Sequence, residues 1–170
     1  MRGLTRPLVG LALFIILAAN LNAQEIPKQL RGKWIVKREL LTRTISCWGE
    51  SEAQNLIGTE IEYTTDSFRW KDKVTVHPSV QILVVNAEEF HDKYSGRGAN
   101  DSGVDFRQLG IKAPQVTRIT LGHQPADITG DTIEIPGDVV LIKEPNTIVF
   151  SICNVYFEAQ RRLIPRTNRK

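Results

Sequence analysis

The chain has 170 residues, with 22 basic and 19 acidic side chains, a formal net charge of +3 and 41% hydrophobic residues. This length suits one domain with a core of its own. The near balance of charge, without basic stretches interleaved with aromatic residues, argues against a nucleic-acid-binding protein.

The first 23 residues have the pattern of a secretory signal peptide. Arg2 and Arg6 precede an apolar run, "LVGLALFIILAA", and small Ala23 stands just before polar "QEIPK". The alternative is an uncleaved membrane anchor, but the run of 12 residues is short for a bilayer span, which needs roughly 20. We therefore predict cleavage after residue 23, a secreted or periplasmic location and no stable membrane span afterwards.

Residues 24–162 are predicted to form one β domain. "GKWIVKREL" alternates, with Trp34, Val36 and Arg38 on one face, and a short helix is expected over 50–57. Further strands follow in "TEIEYT", "SFRW", "VTVHP" and "SVQILVV".

The second half of the domain repeats this pattern of short elements. A helix over 87–94 has Asn86 as its cap, residues 95–103 form a loop, and "VDFRQLGI" predicts another short helix. The strands are "QVTRITL", "TIEI", "VVLIK" and one long last strand, "IVFSICNVYFEAQ"; residues 163–170 are expected to be a flexible basic tail.

Brief connections predict that neighbouring strands pair antiparallel. No long amphipathic helix is available to cover a sheet face, so the sheet must close on itself. The predicted fold is mainly β, an eight- to nine-stranded antiparallel barrel with two or three short helices.

Cys47 and Cys153 both follow the signal peptide. An even pair in an exported chain favours a disulfide bond. Two buried free thiols or a metal-binding pair are the alternatives, although a metal site needs more ligands at short spacing.

Gly32 and Trp34 open the first strand, and Arg161 and Arg162 follow the predicted last strand. The indole would close one end of a barrel, the glycine would allow a close approach of the chain, and an arginine would stack on the ring. At these residues the sequence resembles the lipocalin and calycin barrels, whose first strand carries Gly-x-Trp. The resemblance implies an eight-stranded barrel, an internal apolar cavity and export from the cell.

Aromatic residues on the predicted strands have two interpretations. They either line a ligand cavity or fill the barrel with packed side chains. The residues concerned are Tyr63, Phe68, Trp70, Phe150 and Tyr156.

No convincing catalytic set is present, and neither a cofactor nor a metal is predicted. Glu88, His91 and Asp92 are a conceivable weak metal site, with a solvated helix as the plainer interpretation. We therefore expect a binding protein that holds a small apolar or amphipathic ligand in the barrel. The alternative is a solid barrel that binds an extracytoplasmic protein, or inhibits a hydrolase, through surface loop 95–103.

Overall fold

A computed structural model describes residues 25–42, 50–95, 103–122 and 135–163, apart from the side chains of residues 41, 42 and 50. The predicted signal peptide, Cys47, most of loop 95–103, residues 132–134 of "TIEI" and the tail from residue 164 lie outside this part of the chain.

The described chain is mainly β, as predicted, with nine antiparallel strands in one curled, barrel-like sheet. The order across the sheet is β4-β3-β2-β1-β9-β8-β7-β6-β5, so the first and last strands are neighbours at its centre. The strands are β1 (Gly32–Thr42), β2 (Glu60–Tyr63), β3 (Ser67–Trp70), β4 (Lys73–Val76), β5 (Ser79–Asn86), β6 (Gln115–Gly122), β7 (Val139–Glu144), β8 (Thr147–Ile152) and β9 (Val155–Arg161).

Helices are short and few in the described part. They are α1 (Glu50–Gln54) and α2 (Ala87–Glu89), which continues into one π-helical turn (Phe90–Tyr94). The side chain of Asn86 caps α2 by accepting a 2.8 Å hydrogen bond from the backbone N–H of Glu89. Among the described residues, no helix is long and apolar enough to cross a membrane.

The helix expected in "VDFRQLGI" is a wrong prediction, because these residues form turns. The side chain of Asp105 accepts a 3.0 Å hydrogen bond from the backbone N–H of Gln108. The side chain of Gln108 in turn accepts a 2.8 Å hydrogen bond from the backbone N–H of Asp105. Gly110 then takes a φ of +65°, which ends the local winding before a helix can extend.

The two edge strands, β4 and β5, are joined by only His77 and Pro78. Following the antiparallel pairings in both directions from β1 shows that β4 and β5 run the same way. They are therefore two halves of one strand, bent at His77, where φ is +50°. Because so short a link joins opposite edges, the sheet must curl until the end of β4 lies beside the start of β5.

The single long last strand predicted from the sequence is also wrong. It folds into a hairpin, β8 and β9, with Ile152 opposite Val155 and a two-residue turn between them. The turn residues, Cys153 and Asn154, both have positive φ, at 50° and 62°. Both central residues of a type I′ hairpin turn need that conformation, and asparagine is among the residues that adopt it most readily.

A β-bulge in β1 corrects the predicted alternation of its side chains. Trp34 and Val36 are buried inside the curled sheet, but the pairing shifts between Val36 and Arg38. As a result, Arg38 lies opposite Glu158 on the outer face instead of sharing a face with Trp34.

Trp34 closes one end of the interior. Its indole N–H donates to the backbone oxygen of Leu30 at 2.7 Å, and the guanidinium of Arg161 lies over the ring, 4.1 Å from its centre. Gly32 has a φ of +120°, and a Cβ there would stand 2.9 Å from Nη1 of Arg161. The glycine therefore leaves room for the arginine that covers the indole.

Apolar side chains form two clusters on opposite faces of the sheet. The inner cluster fills the concave side and includes Trp34, Ile61, Phe68, Phe150 and Phe157. The outer cluster lies beneath the β5–β6 connection and is built from the following residues: Val85, Phe90, Val104, Phe106, Leu109, Ile111, Val116, Leu141, Val149 and Tyr156.

Candidate functional site

The described parts of the β5–β6 connection, residues 87–95 and 103–111, are called here the cover segment. Phe90 and Phe106 of this segment are buried against each other, with ring centres 5.3 Å apart. Beneath them lie Leu141 of β7 and Val149 of β8, which point outward from the sheet yet are almost fully buried. The cover segment therefore gives the outer face a second core.

A small, partly open cavity of about 20 Å³ remains between the cover segment and strands β6–β9. This volume holds roughly one water molecule or one small polar group. Aromatic and aliphatic side chains supply most of its wall, and Arg118 and Ser151 contribute polar groups. Its main lining residues are Phe90, Tyr94, Arg118, Leu141, Ser151 and Tyr156.

Arg118 reaches this cavity because of its register in the sheet. It lies opposite Leu83 on one side and Leu141 on the other, both in the outer cluster. The guanidinium carbon lies 4.4 Å from the ring centre of Tyr94, which favours a cation–π contact. One N–H group donates to Oγ1 of Thr120 at 2.7 Å.

The charge of Arg118 has no ion-pair partner within the described part of the chain. Burial lowers the pKa of Arg118, and electrostatic interactions with Tyr94, Asp138 and Tyr156 oppose that shift only in part. A half-buried, unpaired guanidinium is costly to desolvate, so the cavity is electrostatically suited to an anionic group.

The five aromatic residues predicted to line one cavity do not lie together. Tyr63, Phe68 and Phe150 belong to the inner cluster and are about 1% exposed. Trp70 is half-buried and packs against that cluster, with its indole N–H 3.3 Å from Oγ1 of Thr59. Tyr156 lies on the outer face, where it lines the cavity beside Arg118. Phe150 also borders this cavity.

The space around Tyr63 is occupied by the turn that precedes β7. The hydroxyl of Tyr63 donates a 2.8 Å hydrogen bond to the backbone oxygen of Gly137, and burial raises its pKa well above the usual value. A Cβ on Gly137 would meet this hydroxyl and the side chain of Ile61. Residues 135–137 are themselves buried, so the turn fills this part of the interior.

A buried carboxylate fastens the cover segment to the sheet. Glu158 of β9 is only 6% exposed. Its carboxylate accepts two hydrogen bonds from the guanidinium of Arg38, both at 3.2 Å, and one from the ammonium of Lys143 at 2.7 Å. The same ammonium donates to the backbone oxygen of Leu109 in the cover segment at 3.2 Å. Gly110 allows this approach, since a Cβ there would stand 3.0 Å from Nζ.

The sequence suggests two further candidate sites, a weak metal site at Glu88, His91 and Asp92 and an interaction loop over residues 95–103. Among the described residues, no group of three histidine, cysteine, aspartate or glutamate side chains could hold a metal ion. Nδ1 of His91 is buried without a hydrogen-bond partner in that part of the chain, and Gly103 lies against the ring. Residues 96–102 of the proposed interaction loop lie outside the described chain.

Cys153 is buried at the β8–β9 turn and does not carry a free thiol. Its expected partner, Cys47, lies outside the described residues, so the Cys47–Cys153 bridge stays a prediction.

Arg162, the second arginine singled out in the sequence, points to the outer face. Its guanidinium donates to the carboxylate of Glu60 at 3.0 Å in an exposed ion pair. Its backbone N–H donates to the backbone oxygen of Lys33. Of the two arginines, only Arg161 contacts the indole of Trp34.

Comparison of this chain with protein-family models, with curated proteins and with solved structures finds no match. The arrangement of residues therefore carries the functional argument.

Proposed function

We propose that this protein is an exported binding protein that holds a small apolar or amphipathic molecule. One end of the ligand enters the small cavity beneath the cover segment, and the rest of the ligand lies at the open side of this cavity, which is called here the outer pocket. The observation that carries the proposal is the placement of one charge, Arg118, which has no ion-pair partner among the described residues, in a mostly apolar and aromatic wall. Ligand sites commonly combine an apolar lining with a few polar groups that set orientation.

The outer pocket suits a ligand better than the described part of the interior. Tyr63, Phe68 and Phe150 are packed to about 1% exposure, and Gly137 seats its backbone against Tyr63. The outer pocket instead lies between the cover segment and the sheet and is partly open, and half-buried Tyr94 is part of its wall. Gly32, Trp34 and Arg161, which carry the resemblance to calycin barrels, support a scaffold role for the sheet.

Binding is favoured over catalysis by the chemistry of the lining. None of the described residues around the outer pocket is a histidine, a cysteine or a carboxylate. These are the side chains that most often supply a nucleophile or a general acid and base.

A filling variant tests this proposal. Ser151→Leu places an aliphatic side chain in the outer pocket, whereas Thr147→Leu makes a similar change on the same face of β8, away from the pocket. A neutral solvatochromic dye should bind the unmodified protein and Thr147→Leu, and its fluorescence enhancement should be lost in Ser151→Leu. Equal dye binding by both variants would place the ligand elsewhere.

Native mass spectrometry of the protein purified from its own host gives a second, independent measurement. We expect a non-covalent small molecule that dissociates on activation. Failure to find one, together with no dye binding by the unmodified protein, would refute the proposed function.

A further inference from the structure

We infer that the outer pocket selects ligands with a single carboxylate group, which Arg118 binds. This inference rests on the proposed function and adds the chemical class of the ligand. It is carried by the guanidinium geometry, the character of the wall and the size of the cavity.

The guanidinium of Arg118 has donors to spare. An arginine carries five N–H groups in a planar fork, and the described hydrogen bonds of Arg118 use one of them, toward Thr120. The ring of Tyr94 covers one face of the guanidinium, so a ligand that forms hydrogen bonds with Arg118 approaches along its edge, where the N–H groups point. A planar carboxylate matches that edge with two parallel hydrogen bonds.

Charge and volume favour a carboxylate over a phosphate. Arg118 is the one cationic side chain among the described residues that line the pocket. It neutralises one negative charge, whereas a phosphate monoester carries close to two near neutral pH. A cavity of about 20 Å³ also accepts a flat three-atom group more readily than a tetrahedral one.

The rest of the ligand must lie at the open side of the pocket. Tyr94 is half-buried, and the hydroxyl-bearing side chains of Ser151 and Tyr156 complete the wall. An aromatic or short aliphatic acid would pair its apolar body with these rings and its carboxylate with Arg118.

Calorimetric titration with benzoate, benzamide and inorganic phosphate tests the inference. Benzoate and benzamide share a ring and differ in charge, so the difference in affinity isolates the contribution of the carboxylate. We expect benzoate to bind about tenfold more tightly or better, as a charged hydrogen-bonded pair contributes. Arg118→Gln should abolish this preference. Arg69→Gln, which removes an exposed arginine on β3 away from the pocket, should retain it.

A measurement on the unmodified protein covers the case in which Arg118→Gln does not fold. The NMR signal of the Arg118 guanidinium Nε–H, assigned with Arg118→Lys, should shift on addition of benzoate and stay in place with benzamide.

The outcomes separate the inference from the proposed function. Equal affinity for benzoate and benzamide, or a preference for phosphate, would overturn the carboxylate assignment and leave the binding function intact. Binding of neither aromatic probe, together with no dye binding, would overturn both.

Discussion

The guanidinium of Arg161 lies 4.1 Å from the ring centre of Trp34 and joins the end of the last strand to the start of the first. The same group donates to the backbone oxygens of Gln29 and Arg31. Arg161 thus fastens the segment before β1, the indole and β9 at one point.

Replacement of Arg161 by alanine should therefore destabilise the protein by about 1–3 kcal/mol, because a cation–π contact and two charged hydrogen bonds are lost. Urea unfolding followed by tryptophan fluorescence measures the change. Arg162→Ala is the matched control: its exposed ion pair with Glu60 should contribute less than about 1 kcal/mol. Equal effects of the two substitutions would contradict the role given to Arg161.

Gly32→Ala should be more destabilising than Gly58→Ala. Both glycines have positive φ, but a Cβ on Gly32 would stand 2.9 Å from Nη1 of Arg161, while one on Gly58 would meet nothing within 4 Å. Gly58→Ala reports backbone strain alone, on the order of 1 kcal/mol, and Gly32→Ala adds the displacement of the guanidinium. Thermal unfolding of the two variants gives the comparison, and a smaller loss at Gly32 would argue against the close approach.

Glu158→Gln should cost about 2–3 kcal/mol of stability. The substitution leaves the ammonium of Lys143, whose side chain is only 10% exposed, without its carboxylate. The loss should stay below that of a fully buried pair, because Arg38 is well exposed and can turn to solvent. Chemical unfolding measures the change. Glu62→Gln, at a half-exposed carboxylate 4.0 Å from Lys33, should change stability by less than about 0.5 kcal/mol.

The contribution of Glu158 should disappear in acid. Burial by itself would raise the pKa of this carboxyl, but hydrogen bonds from Arg38 and Lys143 outweigh burial and lower the pKa below 4.5. The folded state then binds fewer protons than the unfolded chain just below that value. The stabilisation that Glu158 provides is therefore complete at pH values above the pKa of this carboxyl in the unfolded chain. It is lost as the pH falls through the lower pKa of the same carboxyl in the folded protein.

Stability measured from about pH 7 to about pH 3 should therefore fall more steeply for the unmodified protein than for Glu158→Gln, and the gap between them should narrow. Parallel curves for the two proteins would show that Glu158 does not contribute through its charge.

The Cys47–Cys153 bridge should be detectable by peptide mapping without reduction and by the absence of titratable thiols in the folded protein. A bridge across more than 100 residues constrains the unfolded chain, with an upper value of about 4–5 kcal/mol in the entropy model. Reduction should therefore lower the unfolding temperature markedly. A reductant that leaves the unfolding temperature unchanged while freeing both thiols would show that the bridge does not stabilise the fold.

The sequence was sufficient to predict the antiparallel β architecture, since turn residues separate short alternating segments almost throughout. The cap at Asn86 and the arginine over Trp34 were predictable for the same reason, because each follows from local chemistry and position. The β8–β9 hairpin was not. Its turn, Cys153 and Asn154, contains no glycine, and apolar residues continue through it on both sides.

This missed turn explains the misplacement of Tyr156. In a continuous strand Phe150 and Tyr156 would share a face, but the hairpin pairs Phe150 with Phe157 and turns Tyr156 outward. Phe157, rather than Tyr156, therefore joins the inner cluster.

Arg118 could not be identified as a site residue from the sequence. Its alternation with Ile119 predicts only that the two point to opposite faces. What distinguishes it is the burial of its surroundings by the cover segment and the absence of an ion pair with any described residue, and both depend on contacts distant in the chain.

The central pairing of β1 with β9 has a consequence for the order in which this protein can be completed during synthesis. Strand pairs such as β5–β6 and β1–β2 need only residues of the same part of the chain, whereas the other edge of β1 has to wait for β9, more than a hundred residues later. Contacts of such separation carry a large loop-closure cost and form slowly. The emerging polypeptide therefore stays incompletely folded until its final strand has been made, and a chain in that condition can still be threaded through a narrow channel.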